Sequence, residues 1–133
     1  MKEARATRKR GFTHTVEIRG GDHTLTADES RKDGGHDEGP SPQELLAASL
    51  ASCSAVTLEM YAQRKGWNIG DVTVQVKYEP AQRGSPTRFD IAVRLPKELP
   101  EDQRERLMQI VARCPVHRTL EGEVIFDEKL ELI

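Results

Sequence analysis

The segment from Ser41 to Gly66, SPQELLAASLASCSAVTLEMYAQRKG, constrains the fold more than any other part of the chain. Ser41 can cap a helix, and Pro42 suits the first helical position, where its missing N–H would have no partner. Ser41-x-x-Glu44 makes a capping box. At the other end Arg64 and Lys65 favour the negative pole of the helix dipole, and Gly66 supplies the stop. The interval Pro42 to Lys65 makes a helix of roughly 36 Å, longer than a small domain is wide. Its first half, Leu45 to Ala51, is apolar nearly all round, the mark of a buried helix. A chain of 133 residues with 36% hydrophobic and 5% aromatic content cannot readily cover it. The sequence therefore implies a homodimer that shares its core.

The remaining elements are short. Phe12, His14, Val16 and Ile18 alternate, Gly20-Gly21-Asp22 breaks the pattern, and His23, Leu25 and Ala27 alternate again, predicting a hairpin. The basic start (Lys2, Arg5, Arg8, Lys9, Arg10) lacks interleaved aromatics and is expected to be frayed or an edge strand. Asp28 to Pro40, with no apolar residue, is expected to be a surface loop. Val72, Val74, Val76 and Tyr78, then Phe89, Ile91, Val93 and Leu95, predict two more strands joined through Pro80 to Pro86. Pro100 opens a second helix, on which Leu107, Ile110, Val111 and Cys114 form the buried stripe until Pro115 ends or kinks it. Val116 to Leu120 predicts a short helical turn stopped by Gly122. Val124 with Phe126, and Leu130 with Leu132, suggest one or two closing strands. The order ββ–α–ββ–α–β indicates one α+β domain over 1–133, with a mainly antiparallel sheet and two helices, one long and central.

Charge narrows the function. Twenty Lys+Arg against 22 Asp+Glu give a formal charge of −2, which argues against a dedicated nucleic-acid binder. No unbroken apolar run reaches the length of a membrane span, and no apolar stretch of signal-peptide type follows Met1. The expectation is a cytoplasmic protein with reduced thiols. Those thiols are Cys53 and Cys114. Cys53 shares a helix face with Leu46, Ser49, Leu50, Val56, Thr57 and Met60, and small neighbours (Ala51, Ser52, Ser54, Ala55) leave access to its sulfur. It either packs as a small hydrophobe or reacts. Reaction at neutral pH needs a cation, because lowering a thiol pKa by about two units takes about 2.7 kcal/mol. Arg19, Arg113, Arg118 and protonated His117 are the candidates, and the sequence does not choose among them. Cys114-Pro115-Val116-His117 has a zinc-compatible spacing without the four ligands of a structural site. A Cys53–His117 hydrolase would lack an oxyanion-hole motif. GxGxxG, P-loop and HExxH patterns are absent, so no metal or cofactor is expected.

Taken together, GPSPQELLAASLASCSAVTLEMYAQRKGW and RCPVHRTL closely resemble the OsmC/Ohr family (osmotically inducible protein C and organic hydroperoxide resistance protein), in particular its OsmC-like branch. The likeness runs from about Leu25 to Leu120. It implies an intertwined homodimer in which sheets from both chains wrap two central helices, with a site at each subunit interface. It also implies thiol peroxidase chemistry, with Cys53 attacking the peroxide and Cys114 resolving the sulfenic acid to a disulfide. A cellular dithiol then reduces that disulfide; lipoyl groups on proteins are what the hydroperoxide-resistance branch suggests. Leu46, Leu50 and Met60 suit an alkyl or fatty-acyl hydroperoxide. In well-characterised branches a Glu ten residues before the reactive Cys orients an activating Arg from the N-terminal strands. Here that position is Gln43, the neighbouring acid is Glu44, and Arg19 is the loose match for the Arg. The second functional reading is a non-catalytic apolar-ligand binder or redox sensor on the same scaffold.

Overall fold

The computed structural model describes residues 1–133. By its internal contacts the chain divides into two compact units, Met1–Ala48 with Tyr78–Phe89, and Ser49–Lys77 with Asp90–Ile133.

The first unit holds a three-stranded antiparallel sheet in the order β1–β2–β3, with β1 Ala4–Arg10, β2 Thr13–Ile18 and β3 His23–Ala27. The basic start is thus an ordered edge strand, exposed along its whole length. Its register against β2 runs from Ala4 opposite Ile18 to Arg10 opposite Thr13, with a bulge between Arg8 and Arg10. The predicted hairpin forms: β2 and β3 pair from His14 opposite Ala27 to Ile18 opposite His23 around a turn at Arg19–Gly21. The loop after β3 differs from the expected solvated surface at its root, where Asp28 is only 1% exposed. Its carboxylate accepts the Thr13 hydroxyl at 2.8 Å and the backbone N–H groups of Glu29, His36 and Glu38 at 2.7, 3.3 and 3.2 Å. The loop is wound this tightly because Gly35 and Gly39 lie against the carbonyls of Glu29 and Thr26. A Cβ would stand 2.0 and 2.1 Å from those oxygens.

Helix α1, Pro42–Lys65, has 24 residues with the boundaries read from its caps. The capping box is made in both directions: the Ser41 N–H donates to Glu44 Oε1 at 2.9 Å, and the Glu44 N–H to Ser41 Oγ at 3.2 Å. At the far end Gly66 takes φ +69, its N–H donates to Gln63 O, and the Trp67 N–H donates to Ala62 O at 2.9 Å. That pair of bonds is the Schellman closure, and Trp67 completes it by packing edge-on against Tyr61, with ring centroids 5.5 Å apart. By length and composition α1 would also pass as a membrane span. A core helix passes the same test, and Leu50, Ser54, Leu58, Tyr61 and Ala62 of α1 are buried within this chain.

The second unit is built on that buried stripe. Leu58, Tyr61 and Ala62 pack with Ile69 and with Leu107, Ile110 and Val111 of α2, Glu101–Val111. Val72 and Val74, with Ile91, Val93 and Leu95, close the cluster. Strands β4 Thr73–Glu79 and β5 Arg88–Arg94 form a two-stranded antiparallel sheet with strictly alternating burial, of which residues 73–77 and 90–94 belong to this unit. Burying one such aliphatic side chain stabilises the fold by about 1.5–3 kcal/mol. Two expectations are corrected. Helix α2 stops at Val111, because Cys114 and Pro115 begin a separate helix α3, Pro115–Glu121, making three helices. The closing strands do not form: residues 123–133 have no regular structure, and Ile125, Phe126, Leu130 and Leu132 are exposed. As the helix length and the low apolar content led one to expect, α1 is not enveloped by its own chain: Val56 is 47% and Met60 61% exposed.

Candidate functional site

Folding brings the two thiols of the second unit together. Cys53 sits in the middle of α1 and is half-buried; Cys114 is fully buried at the N-cap of α3. The sharp stop at Val111 and the proline at the first position of α3 turn the chain so that Cys114 Sγ accepts the His117 N–H at 3.5 Å. Both cysteines are free thiols, and their side chains interact. Cys114 therefore keeps its buried position for a reason other than the one read from the sequence. It is a helix cap facing Cys53, not the last residue of an α2 stripe.

The surroundings of Cys53 explain its protonation. Burial pushes its thiol up, and its interaction with the Cys114 thiol acts in the same direction. The backbone of Val116 and the hydroxyl of Thr57 pull it down, without overcoming the first two. None of these groups is a cation. In this arrangement Cys53 is a protonated thiol at neutral pH, adjacent to the sulfur it would join on oxidation.

The other predicted site residues lie in the first unit. Glu44 is engaged in the capping box, and the Ser41 amide and hydroxyl hold its carboxyl below the usual range. Gln43 is exposed. Arg19, in the β2–β3 turn at φ +52, places Nη2 2.6 Å from Nε2 of His23. Of the alternative cations, Arg113 and Arg118 are exposed, and His117 directs Nδ1 to Glu121, one turn further along α3. That pairing turns the imidazole to a carboxylate partner of its own.

One contributor to the thiol pair is new to the structure. Thr57, one helical turn after Cys53, is already placed on its helix face by the sequence. Val116 acts through its backbone, which no residue-type signal announces.

Comparison with known proteins places these features in a wider group. A family model described as OsmC-like protein matches residues 35–129, an interval that contains both cysteines. No curated protein sequence matches the chain. Among solved structures it is similar to a protein assigned to the osmotic stress and detoxification response of Psychrobacter arcticus 273-4. The identity is 24%, covering 90% of this chain and 88% of that one, with a TM-score of 0.76. An organic hydroperoxide resistance protein OsmC from Legionella pneumophila is 21% identical over 92% of this chain and 90% of its own, with a TM-score of 0.68. The organic hydroperoxide resistance protein of Bacillus subtilis is 20% identical over 90% and 91%, with a TM-score of 0.61. At these identities the likeness is one of fold.

Proposed function

The chain belongs to the OsmC-like protein family, and from that premise we propose that it is a thiol-dependent peroxidase that reduces organic hydroperoxides. The observation that carries this reading is the interacting pair of free thiols, Cys53 and Cys114, delivered from two different helices. The Cys53 thiolate attacks the hydroperoxide, the O–O bond breaks, and the alkoxide leaves and takes a proton to become an alcohol. The sulfenic acid left on Cys53 is then attacked by Cys114; water departs and the disulfide forms. A dithiol returns two electrons and two protons to restore both cysteines. Leu46, Leu50 and Met60, on the Cys53 face of α1, favour an alkyl or acyl chain on the peroxide.

The chain's own groups hold Cys53 protonated, so this reading requires a cation to be brought to it. Arg19 is the candidate that the family resemblance supplies. A homodimer supports the same reading, because one chain leaves Val56 and Met60 of α1 uncovered. The chemistry suits a reducing compartment such as the cytoplasm, where a dithiol is at hand.

The test is consumption of cumene hydroperoxide by the reduced protein with dithiothreitol as reductant. Wild type should lose both free thiols on oxidation and turn over; Cys53→Ser should fall to the uncatalysed background. Cys114→Ser should lose one thiol and accumulate a trappable sulfenic acid. Arg19→Gln should slow the peroxide step and shift its pH profile upward, toward that of an unassisted thiol near 8.5. Undiminished consumption by Cys53→Ser would refute the proposal.

One observation favours a second reading. The first unit contains a cavity of about 590 Å³ lined largely by apolar side chains, among them Phe12, Val16, Ala27, Pro42 and Leu45. Its size is that of a small-ligand site. A non-catalytic binder of apolar molecules would take up a fluorescent fatty acid there with equal affinity in wild type and Cys53→Ser, without consuming peroxide.

A further inference from the structure

The end of α1 gathers more positive charge than its helix dipole explains. Around the Tyr61 ring stand the Arg64 guanidinium at 5.9 Å, the Lys65 ammonium at 5.7 Å and the Arg106 guanidinium at 5.6 Å from the centroid. Arg106 Nε also donates to the Tyr61 hydroxyl at 2.9 Å. Arg113 acts on the same ring through its charge and holds the chain position immediately before Cys114. The C-terminal dipole of α1 accounts for Arg64 and Lys65. It does not account for Arg106, which comes from the middle of α2.

None of these cations makes an ion pair: the chain's pairs join Arg10 to Glu38, His117 to Glu121 and Lys129 to Glu131. Arg64, Lys65 and Arg113 are exposed. In a chain of net charge −2, a cluster of positive groups outside any ion pair is a local feature and not a reflection of composition. Like charges held this close repel one another, and an incoming polyanion relieves that repulsion. The cluster is bound to the thiol pair by chain connectivity at both ends. Tyr61 lies about two helical turns after Cys53 on α1, and Arg113 adjoins Cys114.

We propose that the Arg64–Lys65–Arg106–Arg113 face is the docking surface for an acidic protein that carries the dithiol reducing the Cys53–Cys114 disulfide. This rests on the peroxidase reading above. In the step it serves, a thiolate of the acidic partner attacks the half-buried Cys53 sulfur and forms a mixed disulfide; Cys114 leaves as thiolate and takes a proton. The partner's second thiol, losing its proton, then attacks its own sulfur in the mixed disulfide and expels the Cys53 thiolate, which is protonated in turn. The partner ends as a disulfide and this chain as two thiols, a transfer of two electrons.

The probes are two synthetic Cys-x-x-Cys peptides, one flanked by about six Asp and Glu residues and the other by the same number of Lys residues. Full-length protein oxidised by cumene hydroperoxide should be reduced about ten-fold faster by the acidic peptide than by the basic one at low ionic strength. The preference should vanish in about 0.5 M salt and in the double variant Arg64→Glu, Lys65→Glu, whose reduction by uncharged dithiothreitol stays at the wild-type rate. Equal rates for the two peptides, or a preference that survives charge reversal, would overturn the docking surface while leaving the peroxidase reading intact. Failure of the hydroperoxide to form the disulfide would instead overturn the peroxidase reading. Docking alone is read with the acidic peptide in its Cys→Ser form, titrated against the fluorescence of Trp67, the single tryptophan, which packs on Tyr61. A response there that is absent in the double variant supports the surface; its absence in wild type refutes it.

Discussion

The two units solve the problem of a small interior in different ways. In the second, aliphatic side chains do the work: Leu58, Leu107, Ile110 and Val111 interlock with Tyr61, and the thiol pair belongs to the same unit. In the first, a charged group organises the interior. Asp28 is 1% exposed, yet its oxygens collect one hydroxyl and three backbone amides, so the loop is held by hydrogen bonds to a carboxylate. Burial works against that charge and is the largest single influence on it; the hydrogen bonds from Thr13, Glu29, Glu38 and His36 outweigh it and keep the carboxyl below the usual aspartate range. The difference teaches that low hydrophobic content can be tolerated where a single polar hub replaces several apolar contacts. It also divides the molecule's sensitivities. The apolar unit should answer to lost volume and the polar unit to lost charge.

Loss of volume gives the largest expected effect. Leu58 has no exposed surface and sits at the centre of the apolar cluster, so Leu58→Ala should cost about 2–5 kcal/mol, the transfer term plus an unfilled cavity. Chemical denaturation followed by Trp67, which packs against that cluster, measures it. Hydrogen exchange of the amides of Glu29, His36 and Glu38 should change less than the Trp67 transition if the two interiors are independent. Equal loss at both places would merge the two units into one cooperative block.

Loss of charge comes next, and its direction follows from the protons bound. The folded Asp28 carboxyl titrates below its unfolded value, about 3.9, so it contributes stability that is fully present above that value. The contribution disappears as pH falls through the lower, folded pKa. Between pH 7 and about 5 the loop should show constant protection, and on further acidification it should loosen while aliphatic packing persists. Asp28→Asn should remove most of this acid dependence and speed proteolysis between Glu29 and Pro40 at neutral pH. An unchanged acid profile in Asp28→Asn would show that the carboxylate is not the hub.

The same contrast decides what could be read from the amino-acid sequence. Periodic and cap-driven features were legible. The bounds of α1 followed from Ser41, Pro42, Glu44 and Gly66, and the alternation in β4 and β5 followed from valines and aromatics on one face. The polar hub was not legible, because a run such as DESRKDGGHDEGP carries no apolar period and an acid in it looks like any solvated acid. Cys114 was legible as buried, though not as a cap, since the residue before a proline reads equally well as the end of one helix or the start of another. The apolar alternation after Gly122 misled for a different reason: Val124, Phe126, Leu130 and Leu132 have the strand period, but a strand also needs a neighbouring edge, and here they remain exposed. For the site itself, the sequence revealed the two thiols and their family context, while the backbone of Val116 and the protonating environment of Cys53 emerged only with the fold.

The smallest expected effect tests an element the two units share, since α1 begins in the first and continues into the second. Ser41→Ala removes the hydroxyl that accepts the Glu44 N–H, and the loss of such a cap costs about 1 kcal/mol. The Ser41 N–H to Glu44 bond remains available, so the substitution leaves one half of the box in place. Because the cap is about three helical turns before Cys53, fraying there should raise amide exchange over the first turn of α1 while the hydroperoxide rate stays at the wild-type value. Glu44→Gln separates the two roles open to that residue. A Gln can still accept the Ser41 N–H, so a purely capping Glu44 predicts little change in either stability or peroxide consumption. A marked fall in consumption with unchanged stability would give Glu44 a place beside an activating arginine, and would tie the polar unit to the chemistry of the apolar one.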